Sequence, residues 1–193
     1  MITIHREQLT DVQAREALLD LAFGACRFDK TSERLREGRL PAEGLSFVAL
    51  DGGRIVGTVR LWHVSTGPGR PALLLGPLAV SPDRRNRGVG ASLMRRALRD
   101  ARRLGHRAVM LVGDAPYYGR FGFCANKTGL LRLPGPYEPD RLLALELMPH
   151  ALDGARGMIL AGGALAPALD RDARGAGIRK SNGIKSNAIP RAA

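Results

Sequence analysis

Leu73 to Leu104 reads LLLGPLAVSPDRRNRGVGASLMRRALRDARRL, and this stretch decides the fold. An aliphatic segment passes through Ser81-Pro82-Asp83 into Arg85-Asn86-Arg87-Gly88-Val89-Gly90 and then directly into an amphipathic pattern. The order is strand, glycine turn, helix. A helix start leaves its first N–H groups without partners and carries partial positive charge, so a glycine turn there can close its backbone on a phosphate. Gly88 and Gly90 lack the Cβ atoms that would block the approach, while Arg84, Arg85 and Arg87 add full charges around it.

Two other glycine-rich phosphate loops fit poorly. A nucleoside-triphosphate loop needs a Lys-Ser/Thr pair after its last glycine, and Ala91 and Ser92 stand there instead. A dinucleotide fingerprint wants a further glycine or alanine at position 93, which is Leu93.

The turn resembles the acyl-CoA-binding motif of the GNAT superfamily of N-acetyltransferases, Arg/Gln-x-x-Gly-x-Gly/Ala, matched by Arg85, Gly88 and Gly90. A second stretch, Gly113-Asp114-Ala115-Pro116-Tyr117-Tyr118-Gly119-Arg120-Phe121-Gly122-Phe123, is similar to the Phe-Tyr-x-Lys-x-Gly-Phe signature that follows the fifth strand in many members. Tyr118 falls on its tyrosine and Gly122-Phe123 on its closing pair. Two motifs in the right order and at the right spacing are far more specific than either alone. Within the superfamily the run is most similar to the YhbS-like subgroup. There is one departure: many members carry an Asn several residues before the tyrosine to hold the pantetheine arm, and none lies between Asn86 and Asn126. Asp114 or backbone groups would have to take that contact.

The resemblance covers about Met1 to Pro149 and implies an α/β GNAT fold: a twisted mixed sheet of about six or seven strands, flanked by helices, with a cleft between strands four and five. It implies acetyl-CoA as co-substrate, no metal, and transfer of an acetyl or other short acyl group to a primary amine through a tetrahedral intermediate. The pantetheine would pair with the backbone of Leu78, Ala79 and Val80 like an added strand. The pyrophosphate would sit on Arg85, Asn86, Arg87, Gly88, Val89 and Gly90, with Ala91 next to it. A backbone N–H near Leu78 would steady the oxyanion. Tyr118 would bind the cofactor and act as general acid toward the departing thiolate, Glu33 would serve as base through water, and Glu33 or Glu43 would face the substrate amine. A reading from another class keeps the cofactor loop without the acceptor chemistry, as a non-catalytic acyl-CoA-binding or regulatory module.

The rest of the chain supplies the frame. Ile2-Thr3-Ile4 alternates as a first strand, and Thr10 with Gln13 predicts a capping box opening a helix that Gly24 stops after Phe23. A second short helix is expected from Thr31 to Glu37. Leu45 to Leu50 and Arg54 to Val64 read as strands joined by the Asp51-Gly52-Gly53 turn, with Trp62 packed and His63 at the surface. Pro77 inside the next strand, Ala72 to Val80, cannot donate a ladder hydrogen bond and predicts a bulge. Val89 to Leu104 carries the helical stripe Leu93, Met94, Ala97, Leu98, Ala101 and Leu104, stopped by Gly105. Arg107 to Val112 then reads as a parallel strand, and Arg141 to Met148 as the last one.

With 193 residues and 45% apolar composition, the chain can bury one sizeable core. The reading is one domain over residues 1–150, followed by a basic Gly/Ala-rich tail over 151–193 whose last part, Asp170 to Ala193, cannot bury enough to offset its chain entropy. Of the net charge of +12, residues 83–107 contribute +7. A basic loop there suits an anionic ligand. Arg95, Arg96, Arg99, Arg102 and Arg103 are expected to form a solvated helix face, and there is no recognisable nucleic-acid motif. No apolar run is long enough to span a bilayer and the first residues lack a signal-peptide core, so a cytoplasmic protein is expected, with a homodimer left open. Cys26 and Cys124, next to aromatic residues or close to them, are expected to be buried structural thiols.

Overall fold

A computed structural model describes residues 1–167. Strands β1 (Ile2–Arg6), β2 (Ser46–Asp51), β3 (Arg54–Ser65), β4 (Pro71–Val80), β5 (Ala108–Val112) and β7 (Leu142–Glu146) form one mixed sheet in the order β1-β2-β3-β4-β5-β7. Only β4 and β5 in this order run parallel. A seventh strand, β9 (Leu160–Ala161), pairs with the end of β3, and β6 (Leu131–Arg132) pairs with β8 (Gly157–Met158) as a separate ribbon. Helices α1 (Val12–Phe23), α2 (Val89–Arg103) and α3 (Ala115–Gly119) complete the fold. Among the described residues, no helix is long and apolar enough to cross a membrane.

The unbroken apolar run of β4 follows from burial on both faces. Leu73 and Leu75 pack into the cluster under α2 with Val89, Leu93, Met94 and Ala97. Ala72 and Leu74 point into a second cluster with Trp62, Leu131, Leu142, Leu152 and Ile159. The β2–β3 hairpin turns where Gly52 and Gly53 have φ of 56° and 80°, a conformation that glycine adopts without strain. Glu7, just beyond β1, is buried between Arg15 of α1 and Arg60 of β3, and Arg60 Nε donates to its Oε2 at 2.8 Å.

Several expectations are corrected. The turn before α1 is opened by Gln8, not Thr10: its N–H donates to Asp11 Oδ2 at 2.9 Å over a short 3₁₀ turn, Leu9–Asp11. Gly24 does end α1, at φ 68°. Thr31–Leu35 is a 3₁₀ turn, too short for an α-helix. Leu104 is exposed, since α2 ends one residue earlier and the stripe is lost there. Both cysteines are exposed: Cys26 lies in the turn after α1, and Cys124 bridges to Ala144 through its backbone only. Strand β7 is not the last one. The boundary at residue 150 falls inside the packed fold, because Leu152, Ala155, Ile159 and Ala166 are buried. Backbone bonds from Leu40 to Ala164 and from Ala166 to Gly38, both 2.9 Å, seam this segment to the domain. The expectation for Asp170 to Ala193 lies outside the described residues.

Helix α2 sits directly on β3 at Gly57. A Cβ there would lie 2.9 Å from Leu93 Cδ1 and 3.0 Å from Val89 Cγ1, so only glycine allows this approach. Gly57→Val is expected to destabilise the protein by about 1–3 kcal/mol through overpacking. Urea unfolding at equilibrium measures it, and an unchanged midpoint would show that α2 has room to move.

Candidate active site

The site begins as a missing piece of ladder. β4 and β5 pair only at Leu73–Val109 and Leu74–Met110. Between Leu75, opposite Leu61, and Leu78, opposite Val59, β4 has one residue more than β3, a bulge formed by Gly76 and Pro77. Trp62 Nε1 donates to the Gly76 carbonyl at 2.6 Å and holds the bulge from the β3 side. Meanwhile β5 pairs with β7 over its whole length and is carried away from β4. A cavity of about 470 Å³ opens between them, with Leu75 to Leu78 on one wall and Leu111 to Asp114 on the other.

Tyr118 reaches this cavity from α3. Asp114 opens α3 by accepting the Tyr117 N–H at 3.3 Å, and its carbonyl accepts the Tyr118 N–H at 3.0 Å. The Tyr118 ring lies against Gly113, where a Cβ would be only 2.2 Å from Cε2. Packing on Tyr117 and Phe123 completes its seat. Burial, followed by the neighbouring Tyr117, pushes its phenol up to about 12. It therefore remains a proton donor throughout the neutral range.

Glu33 lines the same cavity, as expected, but as half of an ion pair: its Oε2 accepts from Arg36 Nη2 at 2.9 Å. Glu43 does not line the cavity. Trp62 is buried in the core, and His63 packs at a tilt against His106, with ring centroids 5.5 Å apart, away from the cleft.

The glycine turn lies beyond the C-terminal end of β4. Asn86 has φ 60°, Gly88 has φ 78°, and the Ser92 N–H is the first to bond back, to the Gly88 carbonyl at 2.9 Å. The N–H groups of Val89, Gly90 and Ala91 thus precede the first helical bond and face out of the helix end. Val89 is buried and anchors the turn. A Cβ on Gly88 would meet nothing within 4 Å, so the space in front of this helix start is open. Arg85 and Arg87 are exposed and, among the described residues, form no ion pair. Arg84 is different: it is committed to Asp51 at 2.8 Å and Asp83 at 3.0 Å, and these bonds tie the turn to the β2–β3 hairpin. It is a structural arginine rather than a third charge for a ligand.

Sequence reasoning missed two features. A Cβ on Gly90 would lie 3.0 Å from Tyr117 Oη, so the two motifs touch through Tyr117. Lys30, Arg36 and Arg141 also line the cavity, and no motif marks them: Lys30 and Arg36 flank the Thr31–Leu35 turn, and Arg141 comes from just before β7.

A strand-bulged mixed sheet, a cleft at its one parallel pair and a glycine turn at a helix start define a CoA-type acyltransferase scaffold. Residues 12–123 match the Acetyltransferase (GNAT) family, and the chain belongs to that family. It is similar to YjhQ of Escherichia coli, an uncharacterised N-acetyltransferase, at 32% identity over 70% of this chain and 76% of that protein. Among solved structures it is similar to the GNAT family N-acetyltransferase YhbS of Escherichia coli in complex with CoA, with a TM-score of 0.71 and 29% identity over 83% of this chain and 89% of that one. A GNAT family acetyltransferase of Brucella melitensis in complex with acetyl-CoA aligns at a TM-score of 0.55 and 28% identity, covering 79% and 99%.

The position of the Tyr118 phenol is open to direct measurement. In an ultraviolet pH titration, one tyrosine should ionise near 12, well above the ordinary value of about 10. That step should be missing in Tyr118→Phe. If the step persists in the variant, another ring is the buried one.

Proposed function

We propose that the protein is an acetyl-CoA-dependent N-acetyltransferase that moves an acetyl or short acyl group to a primary amine by direct attack. The observation that carries this reading is the convergence of three things on one cleft: the unpaired edge of β4, the protonated phenol of Tyr118 and the carboxylate of Glu33. The complexes of YhbS with CoA and of the Brucella protein with acetyl-CoA support the choice of donor.

In this reading Leu78, Ala79 and Val80 hold the pantetheine along the free edge of β4. Arg85, Asn86, Arg87, Gly88, Val89, Gly90 and Ala91 hold the pyrophosphate, whose charge the helix start and two free guanidinium groups offset. The amine nitrogen attacks the thioester carbonyl, and a backbone N–H of the bulge near Leu78 steadies the oxyanion. As the carbon–sulfur bond breaks, Tyr118 gives its proton to the thiolate, and the proton that the nitrogen sheds as the amide forms restores the phenol. Glu33 takes the proton of the incoming ammonium through a water, on the oxygen that Arg36 leaves free. The experiment is incubation with acetyl-CoA and a panel of amines, with chromatographic detection of CoA and of the acetylated product. Acetyl-CoA binding without acetylation of any amine would favour the non-catalytic acyl-CoA-binding module instead.

Two substitutions sharpen this. Gly88→Val should weaken acetyl-CoA binding at least tenfold, about 1.4 kcal/mol, because it strains a left-handed residue and fills the space before the helix start. Calorimetry reads it, with Arg84→Ala as a comparison expected to act mainly on stability. Tyr118→Phe keeps the ring and removes the hydroxyl, and should lower kcat by about 10²-fold with nearly normal acetyl-CoA affinity. Tyr117→Phe should lower kcat much less, and equal small effects from both would remove Tyr118 from the chemistry.

A further inference from the structure

The cavity is unusually cationic for a site that must receive an amine. Lys30, Arg36 and Arg141 all line it. A fourth cation, Arg27, is already neutralised by Glu16 and by Asp20, the latter at 2.8 Å. The other three share two lining acids: Glu33, which is bound to Arg36, and Asp114, whose carboxylate caps α3 through the Tyr117 N–H. Among the described residues, neither Lys30 nor Arg141 forms an ion pair. Lys30 lies over the Phe23 ring, 4.3 Å from its centroid. Its ammonium is pushed down by burial and then by Arg36 and Arg141, so two like charges face it.

Arg36 adds a second kind of observation. Its side chain is only 7% exposed, and its Nε is buried with no hydrogen-bond partner. A buried donor without an acceptor is unfavourable, and more so when it is charged. The guanidinium as a whole lines the cavity, where it can take an acceptor atom from a ligand. The phosphates of CoA do not supply it, because the cavity lining includes none of Arg85 to Ala91. The pantetheine arm is neutral. The remaining occupant of this wall is the acceptor.

We infer that the acceptor is a small amine that also carries an oxyanion, a carboxylate or a phosphate, which Lys30, Arg36 and Arg141 hold while the amine faces the thioester. This rests on the acetyltransferase reading above and narrows it. Polyamines and lysine-rich peptides are disfavoured, because each brings further positive charge to a wall that already repels it.

The test uses matched amines: amino acids against their amides, phosphoethanolamine against ethanolamine, and spermidine as the cationic arm. The carboxylate and phosphate pairs separate the two sources of oxyanion. The anionic member of at least one pair should have the higher kcat/KM by about tenfold or more. Lys30→Gln and Arg141→Gln should collapse that ratio by raising KM for the anionic member, while Arg102→Gln on the exposed face of α2 should leave the ratio as it is. Equal turnover within every pair, or a ratio that the Lys30 and Arg141 variants leave unchanged, overturns the inference. If no amine of any charge is acetylated, the acetyltransferase reading fails, and the anion site is then judged by binding alone. With CoA present to fill the glycine turn, inorganic phosphate should raise the melting temperature of the wild type but not of the Lys30→Gln/Arg141→Gln double variant. No shift in the wild type overturns it as well.

Discussion

Pro77 has no N–H to give. In a strand paired with β3 on both sides of the bulge, that missing donor is the constraint on which the site depends. The chain meets it by adding a residue at Gly76-Pro77, and the extra residue turns the outer half of β4 away from β5. Once the two strands part, the fold acquires a cavity walled by backbone, and every element near it is arranged to keep that gap open. β7 holds β5 along its length, Trp62 holds the Gly76 carbonyl, and Glu7 ties Arg60, opposite the bulge, to Arg15 of α1. A buried carboxylate between two guanidinium groups is costly to break, since removing one partner leaves uncompensated charge. The bulge is therefore braced from the helix side as well as from the sheet.

The two motifs belong to one structure rather than two. The glycine turn is fixed by Val89 in the core, by α2 lying on Gly57 and by Arg84 on the hairpin. The tyrosine stretch is fixed by the Asp114 cap and by the absence of a side chain on Gly113. They meet where the Tyr117 hydroxyl lies against Gly90. Glycine thus has a different task at each position: freedom of φ at Gly88, and closeness of approach at Gly57, Gly90 and Gly113.

What could be read from the sequence was local or periodic. The Pro77 bulge, the Gly52-Gly53 turn, the α2 stripe and the turn into it each follow from residue types within a short span, so they were legible. The start of α1 is opened by Gln8 and Asp11, which share only the three-residue spacing of the capping box that Thr10 and Gln13 match by residue type, so residue type points to the wrong pair. Cys26 and Cys124 were read as buried from their neighbours, but adjacent residues in a turn point to different sides. The segment after residue 150 was read as tail because it is rich in small residues. A few buried groups such as Leu152 and Ile159, with strand pairing at β8 and β9, suffice to dock it. The cationic wall was illegible because Lys30 and Arg36, which flank one turn, meet Arg141 only in three dimensions.

The exposure of the two cysteines also decides how the reaction can be followed. A disulfide-exchange dye that reports released CoA will also react with any accessible thiol, and this chain offers two of its own. At enzyme concentrations comparable with the product formed, that background mimics a single-turnover burst with no acceptor present. Blanks without amine and without acetyl-CoA therefore belong in any such assay, or the cysteines should first be replaced by serine.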